Sequence, residues 1–214
     1  MDRSRVAIVI PALNEASTIG NVVRVAGQHG VPWVVDDGSS DATAKLAQEA
    51  GAYVVCHARN QGYDQALNSG FAAAYAKGCE VFVTLDADGQ HDPNLLPHIL
   101  HLLEKGADVV IGVRSRYARP AELIFACVTR LRYGIHDPLC GLKAYRASVY
   151  AARGCIDSYG SIGTELVLFA AARGMHIEQV NFEVKNRADS PRFGLAWRAN
   201  FRILRALALS VLRV

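Results

Sequence analysis

Residues 80–93 read EVFVTLDADGQHDP, and this stretch decides the fold. It opens as an apolar run, Val81 to Leu85, rich in β-branched and aromatic residues, which predicts a short buried strand. The run stops at two carboxylates, Asp86 and Asp88, and Asp92-Pro93 then launches a helix. Two acids one residue apart at a strand end put hard oxygen ligands in one small space. That chemistry suits Mg²⁺ or Mn²⁺ held partly by protein and partly by substrate phosphates. Asp and Gly are also turn formers, so a plain turn is the competing reading of these residues taken alone.

The same pattern recurs on either side. Val6 to Ile10 is an apolar run ending at Pro11. Val31 to Val35 is a second, ending in Asp36-Asp37-Gly38-Ser39. Ala52 to Cys56 and Asp108 to Val113 are two more. Amphipathic helices are predicted between them: one carrying Ile19, Val22, Val23 and Ala26 on one face, then Asp41 to Glu49, Asp64 to Ala76 and Pro93 to Lys105. Fully apolar strands alternating with helices indicate a mostly parallel, Rossmann-like sheet covered on both faces, an α/β fold. Right-handed crossovers bring the C-terminal ends of parallel strands to one edge, where such sheets bind ligands. Pro11, Asp36-Asp37 and Asp86-x-Asp88 are therefore expected to meet. No GxGxxG follows the first strand and no GxxxxGK[ST] occurs, so a bound nucleotide would have its phosphates held by metal and not by a glycine-rich loop. Beyond Arg114 the pattern loosens: a basic loop, a helix from Ala121 to Tyr133, a turn cluster His136 to Gly141, a strand from Leu142 to Tyr145, a helix from Gly163 to Gly174 and a strand from Ile177 to Val184.

Composition bounds the class. The chain has 214 residues, 51% hydrophobic and 20% charged, with a net charge of +3. That describes a globular domain with a substantial core. From Lys185 onward seven Lys or Arg face one acid, Asp189, so the rest of the chain sums to −3. Residues 1–194 are expected to form the domain and 195–214 a basic amphipathic helix. In that helix Trp197, Phe201, Leu204, Ala208 and Val211 share one stripe, and Arg198, Arg202 and Arg205 another. Such a helix packs on its own domain or on a partner, or lies in a membrane interface. Nucleic acid is not expected, because the aromatics do not interleave with the basic residues as a stacking platform requires. The five cysteines lack metal-ligand spacing and read as free thiols in a reducing compartment. No window reaches the apolar length of a membrane span. A cytoplasmic protein, or one peripheral at the inner face of a membrane, is the expectation.

Several motifs then occur in a telling order: Pro11-x-x-Asn14-Glu15, Asp36-Asp37-Gly38-Ser39-x-Asp41-x-Thr43, Asn60-x-Gly62, Asp86-Ala87-Asp88-Gly89-Gln90-His91 and Asp108-Val109-Val110-Ile111-Gly112-x-Arg114. Asp137-Pro138-x-Cys140-Gly141-x-Lys143 and a helix containing Glu165 continue the series. The ordered set resembles family 2 glycosyltransferases, in the branch of the dolichyl- or polyprenyl-phosphate mannosyl- and glucosyltransferases. The resemblance implies a GT-A fold and inverting transfer from a nucleotide diphosphate sugar, UDP- or GDP-linked. By similarity Pro11, Ala12, Glu15, Asp37, Asp86 and Ala87 would line the donor site, and Asp86, Asp88 and Gln90 would hold the metal. Arg114, Arg187 and Arg192 would meet phosphates of donor or acceptor. Asp64 stands where the family usually has glycine.

The acceptor divides the readings. A lipid phosphate is already ionised and needs only cationic positioning. A sugar hydroxyl needs a base, for which Asp137 is the candidate. Asp88, Arg114 and Asp137 are thus the expected catalytic set. Two further readings are a sugar-nucleotide pyrophosphorylase and a non-catalytic nucleotide-sugar-binding subunit. The first wants a glycine- and arginine-rich loop in place of Pro11 to Glu15, and the intact acids argue against the second.

Overall fold

The computed structural model describes residues 1–89, 93–117, 119–183 and 196–213. The strands are β1 (Val6–Ala12), β2 (Val31–Asp36), β3 (Tyr53–Cys56), β4 (Val81–Thr84), β5 (Val109–Arg114), β6 (Lys143–Arg146) and β7 (Ile177–Phe182). The helices are α1 (Ile19–Ala26), α2 (Thr43–Glu49), α3 (Tyr63–Ala76), α4 (Leu96–Glu104), α5 (Pro120–Tyr133), α6 (Ala147–Arg153), α7 (Glu165–Ala172) and α8 (Ala196–Arg213). The strands form one sheet in the order β3-β2-β1-β4-β6-β5-β7.

Period-two alternation in the strands feeds two cores. Val6, Ile8 and Ile10 of β1 point into the core shared with Ile19, Val22, Val23 and Ala26 of α1 and with Leu96, Ile99 and Leu103 of α4. Ala7 and Val9 point the other way, against Phe71 of α3 and Leu166 of α7. The expected face of α1 is therefore the buried one. The helix expected from Pro93 begins as a 3₁₀ turn, Pro93–Leu95, before α4, and Leu100 joins its buried residues. Helix α6 follows β6 directly and was not expected from the sequence.

One strand departs from the parallel pattern in a way that matters for function. β6 runs antiparallel to both β4 and β5, with Thr84 opposite Lys143 and Ile111 also opposite Lys143. It therefore begins at the edge where its neighbours end. The turn 137–142 thereby enters the edge that the parallel strands alone were expected to build.

A carboxylate-lined site at the strand ends

β1 and β2 pair in parallel, with Pro11 opposite Val35 and Ala12 opposite Asp36. The ladder continues one step further, where the Asp37 amide donates to the Ala12 carbonyl at 2.8 Å. Past it, two loops are laced by side chain–backbone bonds. The Asn14 amide donates to Ser39 Oγ at 2.8 Å and the Ser40 amide to Asn14 Oδ1 at 2.8 Å. The Glu15 amide donates to Thr43 Oγ1 at 2.7 Å, and the Ala16 amide to Asp41 Oδ2 at 3.1 Å. Asn14 takes the left-handed conformation this crossing requires, with φ 52°. Glu15 is thereby buried at the edge, where its carboxylate accepts from Thr18 Oγ1 at 3.1 Å.

Asp37 is buried, and both its oxygens hold the neighbouring loop. Oδ1 meets His57 Nδ1 at 2.7 Å and the Gln61 amide at 2.8 Å, and Oδ2 accepts from the Gly62 amide at 2.8 Å. His57 also reaches Ser69 Oγ of α3 at 2.9 Å. Gly38 makes this approach feasible: at φ +78°, a Cβ there would lie 2.7 Å from the Arg59 carbonyl carbon and the Asn60 nitrogen.

The opening pair of acids lies one strand over. The Leu85 amide donates to the Val9 carbonyl at 3.0 Å, extending the β1–β4 ladder to the threshold of Asp86. Ala87 is buried, which turns Asp86 and Asp88, both half-buried, to the edge. Gly141 lies against Asp86: a Cβ on it would sit 2.7 Å from Asp86 Oδ1 and closer still to Oδ2. Thr84 Oγ1 donates to the Gly141 carbonyl at 2.6 Å and accepts from the Lys143 amide at 3.1 Å, which fixes the approach. Beneath it Lys143 is buried and donates from Nζ to the Cys140 carbonyl at 2.6 Å. Burial pushes the Lys143 ammonium below its ordinary range, against the opposing pull of Cys140, Asp137 and Asp86. The same burial pushes the Cys140 thiol up to about 12. Burial first, and then the charge of Asp86, push the hydroxyl of Tyr63, at the start of α3, well above its ordinary range.

Arg114, the last residue of β5, forks onto the buried Asp137. Nε donates to Oδ2 at 2.7 Å and Nη2 to Oδ1 at 2.9 Å, and the Arg114 amide adds a bond to Oδ2 at 3.1 Å. Glu122 of α5 lies 3.2 Å from Nη2. Burial of Arg114 disfavours its charge, but the Asp137 bonds outweigh that and raise its pKa. Gln90, Arg187 and Arg192, and His91 beside the acids, lie outside the described residues.

The edge thus gathers Pro11, Ala12, Glu15, Asp37, Asp86, Ala87 and Asp88 from three parallel strands, with Arg114 and Asp137 from β5 and the turn before β6. The family model described as glycosyl transferase family 2 matches residues 7–150, which carry every one of these positions. The chain belongs to glycosyltransferase family 2. It is a glycosyltransferase with a GT-A fold.

The chain is also similar to individual named proteins. A dolichyl-phosphate hexose transferase of Haloferax volcanii is 32% identical over 87% of this chain and 85% of its own length. A polyprenol monophosphomannose synthase of Mycolicibacterium smegmatis is 34% identical over 68% of this chain and 63% of its own. Among solved structures, glucosyl-3-phosphoglycerate synthase of Mycobacterium tuberculosis, in complex with Mn²⁺ and UDP-glucose, superposes with a TM-score of 0.78 at 25% identity. That match covers 98% of this chain and 79% of the other.

Several residues at this strand-end edge had no role assigned from sequence. His57 and Ser69 support Asp37, Gly141 lies against Asp86, Lys143 holds Thr84 and the Cys140 carbonyl beneath it, and Glu122 flanks Arg114. Gly141 and Lys143 were visible inside a motif, but only the reversed β6 sets them beside Asp86. His57 directly follows β3, and that position at a strand end was the one signal for it.

Proposed function

We propose that this glycosyltransferase moves a sugar, with inversion, from a nucleotide diphosphate sugar to a polyprenyl phosphate. Pro11, Ala12, Glu15 and Asp37 would form the nucleoside wall, with Asp86 and Ala87 beside the diphosphate. Asp86 and Asp88, with Gln90 by resemblance, would hold Mg²⁺ or Mn²⁺. The donor set fits such an ion. Gly141 leaves Asp86 a cradle that any Cβ would fill, and both acids are hard oxygen ligands. Among the described residues no group of three or more His, Cys, Asp or Glu could hold a metal by itself. Two carboxylates completed by substrate phosphates match that arrangement. When bound, the ion would stabilise negative charge growing on the leaving diphosphate.

The observation that carries the acceptor reading is the state of Asp137. It is 1% exposed and both its oxygens are occupied by Arg114. A carboxylate so held is badly placed to take a proton from a hydroxyl. An acceptor that arrives ionised needs no base. Its phosphate oxygen attacks the anomeric carbon, the bond to the diphosphate breaks, and the electron pair leaves on the diphosphate oxygen with no proton to move. Arg114, oriented by Asp137, would position that phosphate, joined by Arg187 and Arg192 by resemblance. The relatives named for dolichyl-phosphate and polyprenol substrates support the same class. Such lipids lie in membranes and nucleotide sugars in the cytoplasm, so the enzyme would work at the cytoplasmic face.

The test offers UDP- and GDP-sugars with Mn²⁺ to the chain, with a short polyprenyl phosphate in one arm and 3-phosphoglycerate in the other. The expected products are a nucleoside diphosphate and a glycosyl phospholipid in the first arm only. Transfer in the second arm, or transfer in neither arm, would overturn the reading.

A further inference from the structure

Helix α8 has three faces where an ordinary surface helix has two. Ala199, Ile203, Ala206 and Ser210 are buried, and α8 packs against α5. A second sector is apolar yet open: Trp197 is 64% exposed, Phe201 66%, Leu204 41%, Val211 44% and Leu212 80%. The third sector carries Arg198, Arg202, Arg205 and Arg213, and the helix contains no acid. The apolar stripe expected from the sequence is therefore not the stripe that docks on the domain. Its neighbour α5 repeats the anomaly, with Leu123, Ile124 and Leu131 at 52%, 48% and 89% exposure. Single exposed leucines are ordinary, but a run of them on two adjoining helices marks an interaction surface.

Charge and residue type select the occupant. A second copy seated face to face would bring arginines against arginines, with no acid on α8 to pair with them. A bilayer with anionic headgroups meets both sectors at once: aromatic and aliphatic side chains enter the acyl boundary while arginines remain at headgroup level. Trp197 with Arg198 stacked over its ring, 5.3 Å from the centroid, is a pairing that suits the lipid–water interface. None of the described helices is long and apolar enough to cross a membrane, so α8 would lie in the surface.

We propose that the α5–α8 face is a docking surface for an anionic lipid bilayer. It begins at Pro120, close after Arg114 in the chain, so docking would bring the β5 end of the site toward the headgroups. The surface complements the lipid-acceptor reading without depending on it, because docking is measured with neither donor nor acceptor present.

The experiment mixes the full chain with phosphatidylcholine vesicles, with and without phosphatidylglycerol, and follows co-sedimentation and tryptophan emission. Trp33 is buried and stacked on Tyr53, so a blue shift on mixing reports Trp197. Binding to the anionic vesicles, weakened by salt, is expected. The double variant Phe201→Ser/Leu204→Ser should lower the partition constant about tenfold or more. Arg198→Gln/Arg213→Gln should weaken binding to anionic vesicles and leave the neutral-vesicle value unchanged. A cooperative thermal transition at the parent's Tm in both variants shows that the fold persists. Absence of binding to either vesicle, or binding indifferent to Phe201→Ser/Leu204→Ser, overturns the proposal. So does a dimer in size-exclusion chromatography that Phe201→Ser dissolves, which would make the face a contact between copies.

Discussion

At the scale of single residues, Gly141 has the most to answer for. Its missing Cβ is the space that the Asp86 carboxylate occupies, and its carbonyl is tied to Thr84, so the Asp86 side chain is the partner that must move. Gly141→Ala should therefore displace Asp86 and weaken Mn²⁺ binding about 10–100-fold, the range seen when supports of metal ligands are removed. A Mn²⁺ titration in the presence of nucleoside diphosphate checks this, and unaltered affinity would mean that Asp86 is not a ligand. The glycine stands in the sequence as part of a recognisable motif. Its reason does not, because Asp86 and Gly141 are 55 positions apart and meet only through the register of β4 with β6.

At the scale of elements, the site depends on how strand ends are tied to the loops beyond them. The Arg114–Asp137 fork ties the end of β5 to the turn that leads into β6, and Asp137 is almost wholly buried. Removing one partner of a buried pair costs about 3 kcal/mol. For a chain of this size that is a fall in Tm of about 6–12 °C. Asp137→Asn should show that fall, and should raise the KM for the acceptor more than the KM for the donor. Were Asp137 a base instead, the variant would lose the acidic limb of the kcat–pH profile with both KM values unchanged. Element positions were largely legible from apolar runs and caps, since period-two and 3.6-residue patterns are local. The direction of β6 was not, because a four-residue strand reads the same in either sense.

At the scale of the whole molecule, α3, the loop 155–164 and α8 meet around Asp64. Its Oδ1 accepts from the Gly163 amide at 2.7 Å. Burial first, then the charge of Asp157, raise its carboxyl from 3.8 to about 6, against bonds from Gly163 and Ile162 and the charge of Arg202. The folded state thus keeps a proton that the unfolded chain releases earlier. Between pH 3.8 and about 6 the folded state binds more protons, so this group's contribution to stability falls as pH rises through that window. The full loss is at most about 3 kcal/mol. Asp64→Asn keeps the oxygen for Gly163 and removes the charge. Its Tm should exceed that of the parent by several degrees at pH 7.5 and converge with it near pH 4, as measured by calorimetry. A gap independent of pH would mean that Asp64 titrates normally.

The sequence by itself determined the sheet, its helical cover, the family and the acids at the strand ends. Each of these rests on local periodicity or on short motifs whose chemistry is carried by neighbouring residues. The tertiary structure decided which side chains those acids meet. Asp37 turned out to anchor the 57–62 loop through His57 and two amides, and Asp137 to orient Arg114. It also decided which stripe of α8 is buried. The small residues Ala199, Ala206 and Ser210 face inward because they permit close helix packing, and this leaves the bulky Trp197 and Phe201 outside. Hydrophobic periodicity identifies an amphipathic helix, but which of two apolar sectors is covered depends on the surface it meets.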